Sequence, residues 1–230
     1  TDLSRTPAQV DLVPTILAHL CIANDPAWQL DGRSMIPVCA PVTADLHTLL
    51  EGPYDTALGL MHDSLRTQGL LPVQEPFSAQ GFVHVGHGGE EQRTALSAAA
   101  TGANAIVDWI LVEQRDGNDP TRVLSTRSAL IQRDGDIVDL DGTSLLNWKA
   151  QVGNHRIAIR HRNHLAAMTG TNVPFQTNDI VIRDLSDPAV PLFGIEAMRD
   201  QGSVRLQWAG NARPDGTVAY TGNANDRDVI

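Results

Sequence analysis

The stretch "NAIVDWILVEQRD", residues 104–116, decides how the rest of the chain is read. Ile106, Val107, Trp109, Ile110, Leu111 and Val112 form a nearly continuous apolar run of β-branched and aromatic residues. A strand with one wet face would alternate; an unbroken run fits a strand buried on both faces. Asp108 interrupts it. A buried carboxylate needs a partner, and Arg127 or Arg160 are the partners expected. That pair is expected to be structural, because no motif sets a second carboxylate beside Asp108.

Working outward, "STRSALIQR" (125–133) and "DIVDLDG" (136–142) flank Asp134-Gly135, a strong hairpin signal. "HRIAIRHR" (155–162) and "NDIVIRDL" (178–185) read as further strands, and "VTADLHTLLEGPY" (42–54) alternates loosely before a Gly-Pro turn. Strands separated by Gly, Asp and Pro turns predict a mostly β fold, an Ig-like or transthyretin-like antiparallel sandwich. "EQRTALSAAATG" (91–102) favours a short helix closed by Gly102, and 55–72 a loop with a helical turn. At the start, "VDLVPTILAHL" places Val10, Val13, Leu17 and Leu20 at helical spacing, with Asp11 as N-cap and Pro14 in the first turn. The expected division is a helical segment at 1–37, the sandwich at 38–178, and a final strand with a turn-rich tail at 179–230.

The chain has 230 residues and a formal net charge of −10, and lysine is nearly absent. Phosphate neutralisation needs clustered Lys and Arg, so no nucleic-acid partner is expected. No apolar run reaches the length of a membrane span. Cys21 and Cys39 form no CxxC pair; a disulfide and two buried thiols both remain open. The opening residues carry no basic-then-apolar leader, and the chain reads as a processed product or a fragment.

"IRHRNHLAAMTG" (159–170) is the densest cluster of chemistry-bearing side chains. Treated as one strand, it puts Ile157, Ile159, His155 and His161 on one face and Arg156, Arg160, Arg162 and His164 on the other. His161 and His164 then do not converge on a metal. The arginines form a basic outer stripe, to be paired by Asp108, Asp136 or Asp139; the stretch reads first as a strand end whose His and Asn bond to loop backbone, with an anion or glycan contact by Arg160, Arg162 and His164 as the functional alternative. His84 and His87 in "GFVHVGHGG" are likewise expected on opposite faces, in a glycine-rich loop.

Two resemblances add to this. "VDLVPTILAHLCI" and "LDGRSMIP" resemble the C-terminal end of the alkaline phosphatase and sulfatase superfamily, which implies a catalytic domain upstream. "CAPVT" (39–43) has Thr43 where the sulfatase nucleophile motif has arginine, so this chain alone is expected to be no enzyme. "LEGPYD", "GFVHVGHGGEE", "IAIRHRNHLAAMT" and "WAGNARPDGTVAYTGNANDRD", within 46–228, resemble a C-terminal module of large secreted and surface bacterial proteins. That implies a non-catalytic extracellular or cell-surface module, structural or adhesive, with copies of itself in a filament or surface glycans as partners. The alternative is a glycan- or ligand-binding accessory module of an alkaline phosphatase/sulfatase-like hydrolase. The tail resembles a dockerin-like calcium loop, with Asn211, Asp215, Asp226 and Asp228 as ligands and Arg213 where an oxygen ligand belongs.

Overall fold

The long apolar run does form a strand with two buried faces, and the sheet is built around it. The computed structural model describes residues 6, 8–19, 25–35, 39–86, 88–177 and 179–210. Cys21, His87 and the four calcium-loop residues Asn211, Asp215, Asp226 and Asp228 lie outside them. The strands are β1 Cys39–His47, β2 Tyr54–Asp55, β3 Leu60–Met61, β4 Ile106–Asp116, β5 Val123–Gln132, β6 Asp136–Val138, β7 Leu146–Gln151, β8 Gly153–His161, β9 His164–Met168, β10 Val173–Phe175, β11 Ile180–Asp184, β12 Arg199–Asp200 and β13 Arg205–Leu206. The helices are α1 Leu12–His19 and α2 Ser64–Thr67. The fold is mostly β with a short N-terminal helical segment, as the patterning predicts.

Nine strands join one curled, open sheet in the order β10-β8-β4-β5-β6-β1-β11, with β7 on β1 and β9 on β8. Its ladders are antiparallel except β1–β11, which runs parallel from Thr43↔Ile180 to His47↔Asp184. The all-antiparallel expectation fails there because the chain returns to β1 from far downstream, a long-range pairing that no local turn signal announces.

The two faces of β4 serve two cores. Ile110 and Val112 join Val42, Ala44 and Leu46 of β1, Ile131 of β5, Trp148 of β7 and Ile157 and Ile159 of β8 inside the curl. Trp109 and Leu111 join Leu71, Phe77 and Leu130 on the outer face, under the long 62–100 connection. The alternation changes parity at one point. The register steps from Ile106 opposite Gln132 to Asp108 opposite Ile131, so Val107 is an extra residue. Such a bulge re-aims the neighbouring side chain, and the residue it re-aims is Asp108.

Two local expectations are corrected. Residues 91–102 form no α-helix: Gln92 bridges to Gln74, and 3-10 turns follow at Ser97–Ala99 and Gly102–Asn104. Asp11 is not the N-cap: it is buried inside a 3-10 turn, Gln9–Asp11, and its carboxylate accepts from Ala8 N (2.8 Å) and Arg33 N (2.9 Å). Val10 and Val13 of the predicted apolar stripe are exposed. The one-turn α2 matches the expected helical turn.

Asp134-Gly135 does make the β5–β6 turn. Gly135 adopts φ +104°, and a Cβ there would lie 2.6 Å from the His47 ring and from Thr48 O. Gly59, at φ +67°, has nothing within 4 Å of such a Cβ. Left-handed backbone alone costs a side chain about 1 kcal/mol. Gly59→Ala is therefore expected to lose about 1 kcal/mol in urea unfolding, and Gly135→Ala at least about 2 kcal/mol because the collision adds to the strain.

Candidate functional site

The site lies where β8 turns into β9. The chain does not continue as a strand through 162–164: β8 ends at His161, Arg162 and Asn163 form a two-residue turn, and β9 starts at His164. His161 and His164 are therefore opposed across a hairpin. Their rings meet edge to face with centroids 4.8 Å apart, and the two Nδ1 atoms are 2.9 Å apart. The expectation that these histidines diverge is corrected, and its reason is plain: parity holds only along one strand, and a turn reverses it.

The β4–β8 ladder ends at Leu111↔Arg160, so the hairpin tip overhangs the bulge in β4. There Asp108 Oδ2 accepts from His161 Nε2 (3.1 Å), Arg162 Nε (3.0 Å) and Arg162 Nη2 (2.8 Å), while Oδ1 accepts from Trp109 N (2.8 Å). The partners of Asp108 are Arg162 and His161, in place of the expected Arg127 or Arg160. Arg127 instead pairs with Asp139 (2.7 Å), and Arg160 with Glu113 (2.9 Å) beneath the Phe82 ring. Of the three residues expected to form an anion contact, the fold brings Arg162 and His164 together and leaves Arg160 elsewhere.

The hydrogen bonds fix where the imidazole protons sit. Gly52 N donates to His164 Nε2 (3.2 Å), so that nitrogen is a bare acceptor. Asn163 N donates to His161 Nδ1 (3.2 Å), which is a bare acceptor too. The bond between the two Nδ1 atoms then takes its proton from His164, and His161 carries its own on Nε2, facing Asp108. The result is a directed chain of hydrogen bonds from Gly52 through His164 and His161 to Asp108. Burial, with His161 alongside, pushes the His164 imidazole down to about 2, and the charge of Asp108 offsets only part of this. Burial opposes ionisation of Asp108, but the His161 and Arg162 contacts and the Trp109 N–H outweigh it and hold the carboxyl below its ordinary range.

This cluster forms one wall of a cavity of about 390 Å³. The opposite wall comes from Leu50, Gly52, Pro53, His62, Ser64 and Leu65. Two features hold that wall in place. Asp63 pairs with Arg66 of α2 and with Arg133. The 205–210 segment stitches the end of β1 to β9, with Gln207 N donating to Leu49 O (2.7 Å) and Leu165 N to Trp208 O (2.8 Å).

Two other histidines invite comparison. His47 contacts Asp184 (3.0 Å) and Ser186 (3.0 Å), but both through Nδ1, while Nε2 faces the Asp134 carbonyl (2.6 Å). A serine-activating relay needs serine and acid on opposite ring nitrogens; this arrangement ties β1, β11 and the β5–β6 turn together. His84 lies 3.8 Å from Glu75 and 3.5 Å from Thr126. Among the described residues no group of three or more His, Cys, Asp or Glu side chains is placed to hold a metal ion. Compared with protein-family models, curated proteins and solved structures, the chain matches none.

Two outcomes test this geometry. Arg162→Ala leaves Asp108 short of its main counter-charge and is expected to cost about 3 kcal/mol in urea unfolding; Arg160→Ala costs less, since Glu113 keeps Arg115. The second is a pH dependence. Unfolded, His164 takes up a proton near pH 6.5; folded, it stays neutral down to about 2. Below pH 6.5 the unfolded state therefore binds more protons and stability falls. Between pH 6.5 and 4.5 the loss assigned to His164 is about 2 kcal/mol. His155, also lowered by burial, adds in the same sense. His164→Gln should show a visibly smaller fall than wild type when unfolding is compared at pH 7 and 4.5.

Proposed function

We propose that the chain is a non-catalytic ligand-binding accessory module of an exported, cell-surface or extracellular protein, and that its ligand site is the cavity between the β8–β9 hairpin and the 50–65 segment. One observation carries this reading: an open cavity of about 390 Å³ with an arginine on one wall and Leu50, Pro53 and Leu65 on the other. Small-molecule sites are typically concave and mostly apolar, with a few polar groups that fix orientation. Glycan units and other small polar molecules are the ligands this size admits. The exported setting rests on the resemblance to secreted bacterial modules and on the acidic, lysine-poor composition. No helix among the described residues is long and apolar enough to cross a membrane.

A second reading, a structural or adhesive module that assembles with copies of itself into a surface filament, draws on β11. That strand stands at one end of the sheet order, with Ile180 and Ile182 exposed on either side of buried Val181. Exposed apolar edge strands favour intermolecular pairing. The curled, inward-packed sheet fits a sandwich-like architecture; the parallel β1–β11 ladder departs from an Ig-like or transthyretin-like strand plan. Calcium on the tail residues Asn211, Asp215, Asp226 and Asp228 belongs to the same proposal.

Leu65→Trp separates the two readings. Its ring enters the cavity from the wall across from the Asp108 cluster and leaves every residue of that cluster in place. Ligand-observed NMR of a mono- and disaccharide panel with small organic ions is expected to show binding to wild type and none to Leu65→Trp. Equal binding to both proteins places the ligand elsewhere. Concentration-dependent assembly that Ile182→Lys abolishes supports the filament reading.

A further inference from the structure

The polar wall of the cavity is one-sided in its hydrogen bonding. Asp108 has both oxygens engaged by four N–H bonds. Both nitrogens of His161 and both of His164 are committed inside the chain that runs from Gly52 to Asp108. Three of the four bonds fall on Oδ2, so the acceptor capacity that remains beside the cavity is on Oδ1, which takes only Trp109 N, and on the side-chain amide of Asn163. Arg162 is the exception on the donor side. A guanidinium has five N–H groups in a planar fork; Asp108 holds Nε–H and one Nη2–H through the same oxygen. Of the other three, one on each terminal nitrogen makes up the Nη1/Nη2 edge, and none of the three meets a partner among the described residues.

From this we infer that the cavity is a carboxylate site: it takes a small monocarboxylate with an apolar body, its two oxygens forked on the Nη1/Nη2 edge of Arg162 and its body against Leu50, Pro53, Leu65 and Val107. The inference rests on the ligand-binding reading above and names the class of ligand. A carboxylate offers two coplanar acceptors at the spacing of that edge. A primary amide of the same shape brings one acceptor and no charge to a fork that asks for two acceptors, so it is expected to bind more weakly. Asp108 already neutralises Arg162, so no net positive field draws the anion in. Selectivity therefore comes from the fork and from apolar burial, and the expected affinity is modest. His62 and Ser64 stand on the wall across the cavity, where they can meet a polar substituent but not the buried head group.

The probes are benzoate, with benzamide and benzyl alcohol as neutral isosteres and inorganic phosphate as a second anion, titrated into the full chain by calorimetry and saturation-transfer NMR. Benzoate is expected to bind at least tenfold more tightly than benzamide or benzyl alcohol and more tightly than phosphate. Leu65→Trp should abolish its binding. Arg162→Lys keeps the charge beside Asp108 but loses the planar fork; it should weaken benzoate at least fivefold while its thermal midpoint, measured in parallel, stays well above the assay temperature. Benzamide binding as well as benzoate, or benzoate binding that persists in Leu65→Trp, overturns the inference. Saccharides that bind wild type but not Leu65→Trp, with benzoate inert, overturn it while the ligand-binding reading stands. No binding by any probe or saccharide overturns both.

Discussion

The arrangement depends on what it takes to bury Asp108. A carboxylate in the central strand of a β sheet, flanked by Val107 and Trp109, is tolerable only if its charge and every lone pair are met. β4 alone supplies one of the four donors, the Trp109 N–H. The other three have to come from another strand, and they come from two consecutive residues at the end of β8 and in the turn that follows. The bulge at Val107, the end of the β4–β8 ladder at Leu111↔Arg160 and the tight β8–β9 turn are three expressions of that one requirement.

The requirement reaches further than the pair. Once His161 donates through Nε2, its Nδ1 needs a donor, and the turn amide of Asn163 and the His164 ring provide it. Once His164 donates through Nδ1, its Nε2 needs one, and Gly52 provides it. Each step passes an unsatisfied acceptor outward until it reaches the chain beyond β1. The 205–210 segment then pins that chain to the hairpin with backbone bonds on both sides. A buried charge in β4 is thus coupled to the closure of the curled sheet some fifty residues away in either direction.

Much of the scaffold was legible in residues 104–185. An unbroken apolar run signals a doubly buried strand, Asp-Gly signals a hairpin, and Ile157 and Ile159 at period two signal a core face; each depends on neighbours in sequence. The site was legible in composition but not in geometry. Arg162 and His164 stand out as chemistry-bearing residues, yet their convergence depends on a turn at Arg162-Asn163 that lacks the glycine of a strong hairpin signal. Asn163, a good turn residue placed between "RIAIRH" and "HLAAM", was the available clue. The bulge at Val107 and the parallel return of β11 to β1 had no local signature. Both answer to long-range demands, the first to the partnering of Asp108 and the second to the covering of β1.

Two histidines and an arginine are a costly way to keep one carboxylate buried, since a well-packed apolar residue at 108 would stabilise β4 at least as well. What the ionic arrangement does that an apolar one cannot is orient a guanidinium. Held through its Nε/Nη2 edge, Arg162 keeps its plane fixed beside the cavity it lines, with the rotamer entropy of a long side chain already lost before any ligand arrives. All four imidazole nitrogens are likewise engaged within the protein. Orientation of one donor edge is the property that all of these contacts have in common.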